Sequence, residues 1–307
     1  MVEGAAAAAA AGAGALAVAS QRSGCCFPIL SFLHVPGKMA KPLWLMMGTA
    51  FTFQTHEMVE AACGQPAAQP SLLLTAKHSF SPWGYTKDAS QLKIPKEYQK
   101  LRFVIGRAYR TDADGRAVAT DAVGLRLLAQ HPIHDVALLG VDAPSWKLLQ
   151  CATDDSPARP LDLAHAALPL CKEPYPAASD GLLIGFRGVG RLGELDTLDP
   201  SVLQRLPPHE RDALLKDLQD VEGKQRRATT TVSILDARGM CKGVGDLATC
   251  YHGMSGGPLV TTTGQCAGVL YGHHPDAPGC IGYTPCADFA GWLEEEVQRY
   301  TKRCHEH

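Results

Sequence analysis

Ser255 is set among glycines, in Gly253-Met254-Ser255-Gly256-Gly257-Pro258-Leu259. A nucleophilic serine needs its hydroxyl presented at a tight turn, and it needs nearby backbone N–H groups to hold the oxyanion formed on attack. Glycine permits both, although a hairpin with an idle serine uses the same residues. Upstream, His78 directly follows the apolar run Leu72-Leu73-Leu74-Thr75 and the small turn Ala76-Lys77. Asp135 opens a second buried run, His134-Asp135-Val136-Ala137-Leu138-Leu139. Taken singly, His78 reads as a polar strand end and Asp135 as a turn cap. In the order His78, Asp135, Ser255 they supply a base, a group to orient it and a nucleophile.

Ser255 also satisfies GxSxG, the nucleophile elbow of an α/β-hydrolase. That fold requires the acid and the His to follow the serine, with strand and helix units between them. The residues after Ser255 leave no room for such units. Metal chemistry finds little support: Cys304, His305 and His307 stand at a chain end, and no CxxC pair occurs. His56-Glu57 lacks the second His that a metalloprotease helix places four residues on, since Glu60 stands there. No metal and no cofactor is expected.

The elements that must position these residues read as short strands: 71–75, 101–105, 123–128, 136–141, 182–186, 228–235, 259–262 and 267–271. Each is rich in Val, Ile, Leu, Phe, Tyr and Thr and bounded by Gly, Pro, Asp or Ser. Gly48 to Phe53 alternates small or polar with aromatic residues and adds another strand. The pattern is all-β without βαβ alternation, which favours a sandwich or a pair of barrels. A Pro-rich stretch from Ala143 to Ala178 divides the strands into two sets, giving an expected first domain over 41–150 and a second over 151–300. Two helical segments interrupt the pattern. Leu198 to Gly223 reads as an inserted helical hairpin, with Asp199-Pro200 as its cap, and could shield a cleft or bind a protein partner. A last helix over 288–300 places Phe289, Trp292, Leu293 and Val297 on one face.

The chain has 307 residues, enough for one large core or two ordinary ones. With 29 basic and 31 acidic residues its net charge is −2, so no global field draws it to nucleic acid or anionic lipid. Apart from an alanine tract at the N-terminus, its apolar stretches break well short of the roughly 20 residues of a membrane span. Residues 1–40 read as an Ala/Gly-rich tail or a targeting segment: Ala17-Val18-Ala19 suits signal cleavage, but Glu3 stands where a basic residue is usual. Localisation stays open between these, secretory or organellar in the one case and intracellular in the other.

The motifs around His78, Asp135 and Ser255 resemble those of trypsin-like, chymotrypsin-fold serine peptidases. Thr75-Ala76-Lys77-His78 resembles the family's TAAH signature, His134 to Leu139 its DIALL signature, and Gly253 to Leu259 its GDSGGPL signature. Gly268 to Gly272 resembles the strand lining the primary specificity pocket, and Tyr283 and Trp292 resemble the closing strand and terminal helix. The resemblance covers roughly Leu45 to Val297. It implies two six-stranded antiparallel β-barrels with the active site between them, acting on polypeptide substrates. His78, Asp135 and Ser255 would then be catalytic, with the N–H groups of Gly253 and Ser255 as the oxyanion hole. Thr249, Leu270, Tyr271 and Gly272 would line the substrate pocket.

Several departures accompany the resemblance. Met254 stands where digestive members carry an Asp that pairs with a new N-terminus, so activation by that ion pair is not expected. Gly48 to Phe53 resembles the opening of HtrA-like members, without room for a PDZ domain after residue 300. Ser79 follows the His where a disulfide-forming Cys is usual. Uncharged Thr249 at the implied pocket base disfavours Lys or Arg and suits small or apolar side chains. His273 and His274 beside Tyr271 are either an acid-selecting pair or a surface loop. Cys250 and Cys280 correspond to a bridge common in the family, with reduced thiols as the alternative. Two readings follow: an active serine endopeptidase, or a catalytically inactive binding or structural subunit of the same fold.

Overall fold

The computed structural model describes residues 23–39, 42–63, 72–84, 94–141, 167–188, 225–244, 250, 252–274, 277 and 279–305. The strands within these ranges form two closed antiparallel barrels. The first comprises β1 (Cys26–Leu33), β2 (Leu43–Thr52), β3 (Leu72–Thr75), β4 (Val104–Thr111), β5 (Ala117–Gln130) and β6 (Ala137–Val141), ordered β1-β2-β3-β6-β5-β4. The second comprises β7 (Asp180–Gly188), β8 (Gln225–Asp236), β9 (Met240–Gly243), β10 (Pro258–Thr261), β11 (Cys266–His273) and β12 (Ile281–Pro285), ordered β10-β11-β12-β9-β8-β7. Helix α1 (His56–Cys63) follows β2, and helix α2 (Cys286–His305) follows β12 and packs against α1. The expected all-β, two-barrel architecture with a C-terminal helix is therefore present. The expected hairpin over Leu198 to Gly223 lies outside the described residues.

Strand periodicity explains the continuous apolar runs. Successive side chains point to opposite faces, so a strand with two apolar faces must be covered on both. In β3, Leu73 enters the interior of the first barrel, with Ile29, Ala50, Leu125 and Leu139. Leu72 and Leu74 turn outward into a second cluster. On β7, Leu183 enters the second barrel with Val232, Leu259 and Tyr283, while Leu182, Ile184 and Phe186 turn outward. These outward residues share one cluster with Phe51, Leu138, Val260 and Val269, so the second core lies between the barrels. Phe289, Leu293 and Val297 of α2 and Val59 of α1 extend it. The apolar stripe expected on the last helix is the face that docks.

Four elements differ from the sequence reading. The strand β1 lies within the segment 1–40 read as tail, and it pairs with both β2 and β4 to close the first barrel. Pro28 disguised it, because proline removes a ladder donor. Its pairing with β4 begins only at Ile29, so the missing N–H falls where the ladder has not started. The run 101–105 is a single 3-10 turn (Leu101–Phe103) followed by the start of β4. Helix α1 was not anticipated, nor was β9.

Candidate active site

His78 lies in a 3-10 turn (Lys77–Ser79) directly after β3. The fully buried Leu73 and Leu74 fix the strand, and the fully buried Ala76 fixes the turn. The His78 backbone N–H donates to Asp135 Oδ1 at 2.9 Å, and ring Nδ1 lies 2.6 Å from Asp135 Oδ2. An ionised carboxylate only accepts, so Nδ1 carries the proton and Nε2 is left as the basic nitrogen. Asp135 thus sets both the place and the tautomer of the imidazole.

Asp135 sits in the connection from β5 to β6, and a second histidine shapes that turn. His131 Nδ1 accepts the backbone N–H of His134 at 2.8 Å and of Ile133 at 3.2 Å. The His131 N–H donates to Val136 O at 2.9 Å, so the residues before and after Asp135 are tied together. Lys77 Nζ donates to His131 O at 2.9 Å, which links the turn to the residue preceding His78. Trp292 of α2 presents its ring edge-on to His131 at 5.1 Å. Burial, then the neighbouring His134 and Lys77, lower the His131 pKa below its ordinary value. His131 escaped the sequence reading because a histidine serving as a backbone acceptor has no spacing signature.

The Ser255 loop joins the second barrel to the first. Gly253 and Gly256 have φ of +93° and +87°, which favour glycine. A Cβ on Gly256 would lie 2.2 Å from both Thr49 O and Thr75 Oγ1, so only glycine fits there. The Gly256 N–H donates to Leu270 O at 2.7 Å, and Leu270 N–H donates back to Gly257 O at 2.9 Å. These bonds fasten the loop to β11. Met254 is fully buried and fills the space over Gly185. Met254, where the resembling motif carries an aspartate, is thus a core side chain. The Ser255 hydroxyl donates to Tyr271 O at 3.4 Å.

His78, Gly253, Ser255, Tyr271 and Gly272 line one cavity of about 220 Å³. Asp135 meets it through His78. Leu270 does not line it: the side chain is fully buried in the second barrel's core, because it precedes Tyr271 on the alternating strand β11. Thr249 lies outside the described residues. Cys250 and His273, which the sequence set beside the pocket, also line it, whereas Trp44, Met46 and Met47 from β2 and His252 from the second barrel were not anticipated. Cys250 and Cys280 are free thiols, and burial pushes the Cys250 pKa up to about 12. Cys241 is held up to about 12 in the same way, with smaller contributions from Cys250 and Cys280 nearby. Among the described residues no cluster of His, Cys, Asp or Glu could hold a metal ion, and no helix is long and apolar enough to cross a membrane.

No protein-family model matches the chain, and no curated protein matches it. Among solved structures, it is similar to the inactive form of the Rv3671c protease, at 15% identity and a TM-score of 0.45, over 91% of this chain and 91% of that one. The active form, from M. tuberculosis, matches at 16% identity and a TM-score of 0.46, over 90% of this chain and 82% of that one. A serine endoprotease from Yersinia pestis matches at 14% identity and a TM-score of 0.44, over 92% of this chain and 65% of that one. At these scores neither fold nor activity rests on the likeness. The fold rests on the chain's own strands.

Proposed function

We propose that the protein is a serine endopeptidase. The observation that carries this reading is the double hydrogen bond from His78 to Asp135, on a histidine that shares one cavity with Ser255. In the proposed mechanism His78 Nε2 accepts the proton of Ser255 Oγ as that oxygen attacks the scissile carbonyl carbon. This requires the hydroxyl to rotate from Tyr271 O toward the imidazole, as catalytic hydrogen bonds often tighten only around substrate. The resulting imidazolium is stabilised by the Asp135 carboxylate. Negative charge on the former carbonyl oxygen is received by the N–H groups of Gly253 and Ser255, and no described residue accepts from either of them. Collapse of the tetrahedral intermediate breaks the C–N bond, and His78 gives its proton to the leaving amine. Water, deprotonated by the same nitrogen, then releases the acyl group from Ser255.

The substrate side chain preferred before the cut is small or apolar. Met46, Met47, Trp44 and Cys250 give the cavity apolar walls, and no described lining residue carries a carboxylate to pair with Lys or Arg. The test of the reading is covalent labelling with a fluorophosphonate, beside Ser255→Ala and His78→Ala. Label on Ser255 that vanishes in both variants is the expected result. A folded protein that takes no label overturns the reading in favour of an inactive binding subunit.

A further inference from the structure

We infer that Thr49, on the first barrel, is a positioning residue that holds the Ser255 loop of the second barrel in its oxyanion-binding shape; this rests on the peptidase reading above. Thr49 is fully buried on β2. The pairing of β2 with β3 begins at Ala50, so the backbone groups of Thr49 have no strand partner on that side. They are taken up instead by the catalytic region. Thr49 N–H donates to Ser255 O at 2.8 Å, and Thr49 O accepts from Thr75 Oγ1 at 2.7 Å. The side chain adds a second hold: Thr49 Oγ1 donates to Gly253 O at 2.8 Å and accepts from Phe186 N–H at 2.9 Å. One hydroxyl therefore ties β2, β7 and the nucleophile loop together.

The consequence follows from peptide planarity. Fixing a carbonyl fixes the plane of its peptide unit, including the N–H at the other end. Thr49 holds the carbonyls of Gly253 and Ser255, whose peptide units carry the N–H groups of Met254 and Gly256, and Gly257 N–H holds the carbonyl between them, Met254 O, at 2.9 Å, which orients the Ser255 N–H. Three consecutive peptide units, the one carrying the Ser255 N–H and its two neighbours, are thus held in place. Gly253 has the backbone freedom to turn the peptide that follows it, and the Thr49 hydroxyl opposes that turn and with it a shift of the adjoining unit that carries the Ser255 N–H. A hydroxyl whose only task was to satisfy a buried core would not need to bond the residue that supplies an oxyanion donor.

The test compares wild type with Thr49→Val, which keeps the shape and removes the hydroxyl, and Thr49→Ser, which restores it. Fluorophosphonate labelling of Ser255 and turnover of a peptide substrate are measured per folded molecule. The expected result for Thr49→Val is a labelling rate and kcat lower by about a hundredfold, the low end for losing one oxyanion donor, with KM changed less than about threefold. Thr49→Ser should return both rates to within about threefold of wild type. Should the valine variant not fold, Thr49→Ala removes the same hydroxyl without adding a methyl group and carries the same expectation. Wild-type rates in a folded Thr49→Val or Thr49→Ala overturn this inference alone, as does a loss that Thr49→Ser fails to restore. Absence of label on wild type overturns it together with the peptidase reading.

Discussion

Asp135 grips His78 at two points, the backbone N–H at 2.9 Å and the ring Nδ1 at 2.6 Å. The first bond places the residue and the second sets the tautomer. Asp135→Asn separates the two functions. Its amide oxygen still accepts from the backbone, but its NH2 faces Nδ1 and forces the ring proton onto Nε2, where it cannot act as a base. The expected loss in kcat is about 10⁴-fold with little change in thermal stability, measured by steady-state kinetics beside a melting curve.

Gly256→Ala tests the close approach of the barrels. The new Cβ would meet Thr49 O and Thr75 Oγ1 at 2.2 Å, at a φ of +87° that alanine resists. Strain and overpacking together should cost about 3 kcal/mol or more of unfolding free energy, read from urea denaturation. An alanine variant within about 0.5 kcal/mol of wild type would contradict this packing.

The turn built on His131 makes stability acid-sensitive. Burial, His134 and Lys77 lower its pKa from the ordinary 6.5, so the unfolded chain takes up the proton first. The contribution of this turn is therefore complete above pH 6.5 and declines as the pH falls through the lowered value. His131→Asn keeps an acceptor for the Ile133 and His134 N–H groups and cannot titrate. Between pH 7 and pH 5 the urea midpoint of wild type should fall further than that of the variant; parallel curves would exclude the mechanism.

Cysteine reactivity should divide along burial. Cys250 borders the cavity, yet its pKa of about 12 leaves almost no thiolate near neutral pH. Cys304 is exposed on the last helix. Iodoacetamide at pH 8 should modify Cys304 within minutes and spare Cys250 until the protein is unfolded, as peptide mapping by mass spectrometry would show.

Much of the candidate site was legible because its residues sit at punctuation in the sequence. His78 follows the run Leu72 to Thr75, Asp135 precedes Val136 to Leu139, and Ser255 stands among glycines, of which Gly256 leaves no room for a side chain. Strand β1 was not legible, since Pro28 and the adjacent Cys25 and Cys26 imitate a loop, and closure by β4 is settled far along the chain. The role of Thr49 was invisible for a related reason. Its partner Gly253 lies 204 residues away, and no local pattern records a contact of that range. Leu270, named together with Tyr271 and Gly272, faces the core while those two line the cavity, because neighbouring positions of a strand point to opposite sides.

The cluster shared by the barrels also orders events in time. Ribosomal synthesis delivers His78 and Asp135 with the first barrel, when Phe51, Leu72, Leu74 and Leu138 still lack the covering of Ile184, Phe186, Val260 and Val269. Ser255 emerges later, on a loop whose shape depends on Thr49 of the half already made. On the proposed peptidase reading, a nascent or truncated chain thus carries an orphaned base without a nucleophile, and the docking that shields its bare apolar flank is the same event that completes the reactive set.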